Sequence, residues 1–83
     1  MSNKEATESE KIGLMVRTLR EREGLTQKAV AKLAGIEQAH VSRMESGAEG
    51  VPQLPRVKRV LEAIGYKLML TARKTATEYE VTM

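Results

Sequence analysis

Residues 26–47 read TQKAVAKLAGIEQAHVSRMESG, and the fold turns on how their apolar positions are spaced. Val30, Ala31, Leu33 and Ala34 fall on or beside one helical face, which predicts a short helix over about 26–34, capped by Thr26. Val41 and Met44 define the inner face of a second helix over about 37–46. Gly35 lies between them and suits a left-handed turn, because it has no Cβ to clash there. The second helix then turns Gln38, Ala39, His40, Ser42 and Arg43 outward.

Upstream, Thr7 and Glu10 fit a capping box, and Ile12, Met15, Val16 and Leu19 follow at helical spacing. This predicts a helix over about 8–23, stopped by Gly24. Residues 1–7 are polar, without apolar periodicity, and are expected to form a disordered tail. Downstream, Gly47, Gly50 and Pro52 mark a loop. A fourth helix should start near Gln53 or Leu54, with Pro55 in its first turn. Leu54, Val57, Val60, Leu61 and Ile64 form its apolar stripe, and Gly65 ends it. The four helices make one domain over 8–65.

From position 66 the period changes. Tyr66, Leu68, Leu70 and Ala72 alternate with Lys67, Met69, Thr71 and Arg73, which predicts a strand over 66–73. A single strand leaves its amides and carbonyls without a ladder partner. One solution pairs it with its copy in a second subunit, across a two-fold axis. The other is a hairpin with residues 78–82, where Tyr79 and Val81 give a weaker alternation. The connection 74–77 has no Gly, Asn or Asp to set a tight turn, which favours the intersubunit ribbon. On this reading Tyr66, Leu68, Met69 and Leu70 belong to a homodimer strand, and residues 74–83 are a flexible tail. The expected fold class is mainly α, four helices plus one C-terminal β-strand that pairs across a homodimer.

Composition narrows the possible functions. An 83-residue chain supports one modest core, and without Phe or Trp that core must be aliphatic. With no Cys there is no disulfide, thiolate metal site or cysteine nucleophile, which suits a reducing compartment. No apolar run approaches the ~20 residues of a membrane span, so a cytoplasmic location is expected. One His and no clustered carboxylates predict neither an enzyme nor a cofactor or metal protein. The net charge of +3 is unevenly spread. Acids crowd the N-terminus, while residues 55–74 carry Arg56, Lys58, Arg59, Lys67, Arg73 and Lys74 against Glu62 alone.

Two short helices around a glycine turn are the layout of a helix-turn-helix DNA reader, whose second helix enters the major groove. Gln38 can pair bidentately with adenine and Arg43 with guanine. Ala39 permits close approach and can touch a thymine methyl. His40 and Ser42 can donate to bases or phosphates, while Gln27 and Lys28, in the first turn of the preceding helix, suit phosphate. Taken alone, such a polar stripe is an ordinary solvated helix face. The helix-turn-helix context favours contact with double-stranded DNA.

The stretch IGLMVRTLREREGLTQKAVAKLAGIEQAHVSRMESG resembles the Xre/Cro family of repressors. It matches the family elements I-G-x-x-[IV]-R-x-x-R, G-L-T-Q, L-A-x-x-[AS]-G-[IV] and [IV]-S-x-x-E-x-G in order and spacing. The resemblance implies a lambda-repressor-like domain and a structural ion pair between Arg20 and Glu45. It also implies a phosphate contact at Gln27 and base-facing positions at Gln38, Ala39 and Arg43. Glu37 departs from the pattern, standing where the family usually has a Ser or Thr cap, and Ala29 stands where a Glu is usual. The Glu37 charge can repel phosphate or accept from cytosine N4.

A fourth helix that runs straight into a strand, RVLEAIGYKLMLTARK, resembles HipB-like and HigA-like antitoxins of toxin-antitoxin operons. In HipB-like proteins the strand pairs with its copy in the second subunit. The resemblance implies an inverted-repeat operator, read by two helices about 34 to 36 Å apart, and a toxin protein as partner. A stand-alone regulator of the same family is the alternative.

Overall fold

The computed structural model describes residues 7–48, 50, 53–74 and 77–83. Four helices are followed by two strands, namely α1 (Glu8–Arg22), α2 (Gln27–Ala34), α3 (Gln38–Ser46), α4 (Leu54–Ala63), β1 (Met69–Lys74) and β2 (Thr77–Thr82). Of the expected tail at 1–7, residues 1–6 lie outside the described residues, as do the loop residue Pro52 and the connecting residues 75–76, whereas Thr7 caps α1.

Local chemistry sets the helix ends. Thr7 closes a full capping box on α1, its hydroxyl accepting from the Glu10 amide at 3.1 Å while Glu10 accepts from the Thr7 amide at 2.9 Å. Thr26 caps α2 through the Ala29 amide at 3.0 Å. At the other end of α2, Gly35 adopts φ 71°, and the Ile36 amide donates back to the Ala31 carbonyl at 3.0 Å. This closure fixes the angle at which α3 leaves α2.

Val16, Val30, Val41, Val57, Val60 and Leu61 are fully buried, with Ala31, Ala34, Met44, Ile64 and Leu68 around them. The core thus draws on all four helices and on the segment after α4. Met15 and Leu33, expected on inner faces, are 37% and 60% exposed. Their helices bury a narrower stripe than the spacing allows, because α1 packs chiefly on α3, and α2 on α3 and α4. Gly13 explains how closely α1 approaches α3. A Cβ there would meet the carbonyls of Met44 and Glu45 and the Glu45 carbonyl carbon, all within 3.0 Å.

The C-terminal third differs from expectation in two respects. The strand begins at Met69 rather than at residue 66, so Tyr66 and Leu68 precede it. Past Gly65, at φ 95°, the Tyr66 amide donates to the Leu61 carbonyl at 2.8 Å, and Leu68 enters the core at 9% exposure. Residues 66–68 therefore strap the end of α4 to the domain ahead of β1, while the Leu68 carbonyl accepts from the Met83 amide at 2.7 Å beside the first pair of the ladder.

The second difference concerns pairing. Within the chain β1 pairs with β2, antiparallel, in a register running from Met69↔Thr82 to Lys74↔Thr77. Residues 77–82, expected to be tail, supply the amides and carbonyls that one edge of β1 needs. Lys74 pairs with Thr77 although the connection lacks the Gly, Asn or Asp whose absence favoured the ribbon. The other edge of β1 carries no strand among the described residues.

Candidate nucleic-acid interface

The helix α3 has two chemically distinct sides. Val41, Met44 and Glu45 are buried, whereas Gln38, Ala39, Ser42 and Arg43 are exposed and His40 is half-buried. Glu37 sits at the N-cap in extended conformation, exposed, and makes no side-chain capping bond. The first-turn amides of α3 thus lack the side-chain acceptor that Thr26 gives α2.

Behind α3 lies a charged brace. Arg20 Nε donates to Glu45 Oε2 at 2.6 Å and Arg20 Nη2 to Glu45 Oε1 at 2.9 Å, a bidentate pair joining α1 to α3. Arg20 Nη1 also donates to the Leu25 carbonyl at 2.8 Å, holding the turn between α1 and α2. Gln27 completes the group, its Nε2 donating to Glu45 Oε1 at 3.0 Å. The Arg20 and Glu45 side chains are only 11% and 3% exposed, and among the described residues no buried side-chain nitrogen or oxygen lacks a partner. The Glu45 hydrogen bond raises the guanidinium above its already high ordinary pKa, outweighing the opposite effect of burial.

The structure therefore brings Arg20, Gln27 and Glu45 together, and sets Lys28 apart on the exposed side of α2. An amide group has two N–H donors. Gln27 commits one to Glu45 and retains a second for an external acceptor. An open recess of about 310 Å³ borders this group, lined by Arg17, Arg20, Gln27, Ser42, Glu45 and Ser46. Arg17 and Ser46 were not among the sequence candidates. Arg17 could have been found three positions before Arg20 on the same face of α1, where it also pairs with Glu21 at 3.2 Å. A second recess of about 220 Å³ at the start of α4 is lined by Gln53, Pro55, Arg56 and Arg59. Arg56 and Arg59 belong to the basic segment that the charge distribution marked, but the sequence did not group them with Gln53 and Pro55.

Among the described residues no group of three or more His, Cys, Asp or Glu is placed to hold a metal ion, and no helix is long and apolar enough to cross a membrane.

A helix-turn-helix domain family matches residues 11–73, which takes in most of α1, all of α2, α3 and α4, and most of β1. The chain belongs to that family. As a helix-turn-helix domain it is similar to the HTH-type transcriptional repressor RghR of Bacillus subtilis, 38% identical over 55 residues, 66% of this chain and 41% of the relative. It is also similar to the Mycobacterium tuberculosis protein named "Putative antitoxin HigA2", 40% identical over 58 residues, 70% of this chain and 57% of the relative. The matches thus span about half the length of these curated relatives. In helix-turn-helix terms α2 and α3 are the two helices joined by the turn, and α3 stands at the position such domains use for the recognition helix.

The four residues expected in the dimer strand separate. Tyr66 is half-buried and its hydroxyl donates to Glu23 Oε2 at 2.7 Å, while Leu68 is buried. Met69 and Leu70 lie in β1 at 43% and 45% exposure, near the 60% exposed Val81 of β2. The hydrogen bond to the Glu23 carboxylate raises the Tyr66 phenol above its ordinary range, so near neutral pH it stays protonated and can donate.

Proposed function

We propose that this chain is a sequence-specific DNA-binding transcriptional repressor, acting as the antitoxin of a type II toxin-antitoxin operon. As a homodimer it binds an inverted-repeat operator on double-stranded DNA, and it also binds a cognate toxin protein. The observation that carries the DNA reading is the two-sidedness of α3, whose buried face is locked by the Arg20–Glu45–Gln27 group while its polar face lies open. A helix held this way can enter the major groove without losing its orientation.

In this reading Gln38 pairs with adenine, Arg43 with guanine, and Ala39 lies against a thymine methyl. Glu37, His40 and Ser42 contact neighbouring bases or backbone. Gln27, through its second N–H, and Lys28 bind phosphate. Dimerisation is supported by the open edge of β1 and by Leu70 and Val81, directly paired and both exposed. A two-stranded hairpin is marginal in isolation, and a second copy would extend the sheet. The toxin partner rests on the likeness to the protein named antitoxin. The likeness to RghR favours a second reading, a stand-alone repressor.

Binding of wild type, Gln38→Ala and Arg43→Ala to a panel of single-base operator variants tests base reading. Each substitution should flatten preference at one base position by ~1 to 3 kcal/mol. An equal loss on every sequence would reject it. Co-purification from the native host separates the two repressor readings, since an antitoxin brings its toxin along.

A further inference from the structure

The hairpin packs chiefly on itself, so the root that joins it to the helices decides where it points. Three attachments hold that root. Leu68 is buried in the core, the Tyr66 amide bonds to the Leu61 carbonyl of α4 at 2.8 Å, and the Tyr66 hydroxyl donates to Glu23 at 2.7 Å. The first two sit close together along the chain and leave a swing about that short segment. The third reaches a different element, because Glu23 is the C-cap of α1, and its amide bonds to the carbonyl of Arg20. Arg20 in turn grips Glu45 of the recognition helix. A continuous path thus leads from the hairpin root through the last turn of α1 to α3.

We infer that Tyr66 and Glu23 are positioning residues that set the hairpin's angle to the recognition helix and thereby the half-site spacing the dimer accepts. The inference rests on the homodimer reading above. A strand of six residues extends about 20 Å at ~3.4 Å per residue. A swing of ~10° at its root moves the far end by about 3.5 Å, close to the ~3.4 Å rise of one base pair. Loss of one tether is therefore enough to blur the spacing by about a base-pair step.

Wild type, Tyr66→Phe and Glu23→Gln should be compared on inverted repeats whose half-sites are moved apart or together one base pair at a time, and on a single half-site. Dimer mass and melting temperature are recorded for each protein. Tyr66→Phe should lose a few-fold in affinity at the best spacing, since the bond is solvent-exposed, and little at neighbouring spacings or on the half-site. Glu23→Gln keeps a neutral acceptor and should fall between Tyr66→Phe and wild type. A wild-type spacing preference that survives unchanged in both variants overturns the inference alone. A wild type that ranks no spacing above another overturns the two-fold reading, and the inference with it.

Discussion

Replacing Glu45 with Ala should remove more stability than any solvent-facing ion pair could. The change takes away both carboxylate oxygens that Arg20 holds at 2.6 and 2.9 Å, and the acceptor of Gln27 at 3.0 Å. Arg20 cannot shed its charge, and at 11% side-chain exposure it would keep the Leu25 carbonyl and only a 3.9 Å approach to Glu21. Stranding a buried charge in this way costs ~3 to 5 kcal/mol, whereas an exposed pair is worth at most about 1. A small domain loses about 4 to 8 °C in melting temperature per kcal/mol, so the fall should be well over ~10 °C by this scaling. Arg20→Ala should cost a comparable amount by stranding Glu45, at 3% exposure, on Gln27 alone. The double variant Arg20→Met, Glu45→Met should lose far less than the sum, because no charge is then left buried. Urea denaturation followed by circular dichroism on all four proteins closes the cycle. A single loss below ~1 kcal/mol, or strict additivity, would refute the account of the pair as a buried brace.

Gly13→Ala pits propensity against packing, since Ala should stabilise a helix interior by about 1 kcal/mol. The carbonyls of Met44 and Glu45 leave no room for the methyl group, so a net loss of ~1 to 3 kcal/mol is expected in thermal melts, and a gain would show that α1 does not sit this close to α3. Glu37→Ser should supply the missing cap of α3 and raise stability by roughly 0.5 to 1 kcal/mol; a neutral result in urea titration would mean the first-turn amides are already satisfied. The stability difference between wild type and Tyr66→Phe has a defined pH course. The folded state raises the phenol pKa, so the Tyr66 contribution is complete below its unfolded value of ~10 and is lost as pH climbs through the folded value. Denaturation scans between about pH 7 and 11 should show the difference constant and then closing, and a difference that widens would contradict the direction of the shift.

Apolar spacing and punctuation by Gly, Thr and Pro carry the four helices, with ends within a residue or two, because each cap and turn is decided by contacts a few residues long. Burial was less legible. Met15 and Leu33 fit an apolar stripe as well as Val16 and Val30 do, and only the placement of neighbouring helices decides which are covered. The outward position of Gln38, Ala39, Ser42 and Arg43 follows from helical periodicity once Val41 and Met44 face inward. Arg17 and Ser46 border the same recess from different helices, and such a grouping has no signature along the chain.

The C-terminal third shows most clearly where local reading stops. Alternation marked a strand, yet alternation cannot tell where a strand begins: Tyr66 and Leu68 precede it, and the Leu68 side chain is buried in the helical core. Nor does it choose a partner for the strand, because pairing depends on which backbone is within reach. By itself, then, the sequence determined the helices, their order and the polar face of α3, all matters of short-range periodicity and capping. Tertiary structure alone decided that Gln27 joins Arg20 on Glu45, that Tyr66 reaches Glu23 from 43 positions away, and that β2 takes one edge of β1. Each of these depends on distances set by the packing of whole elements, which no stretch of the chain specifies locally.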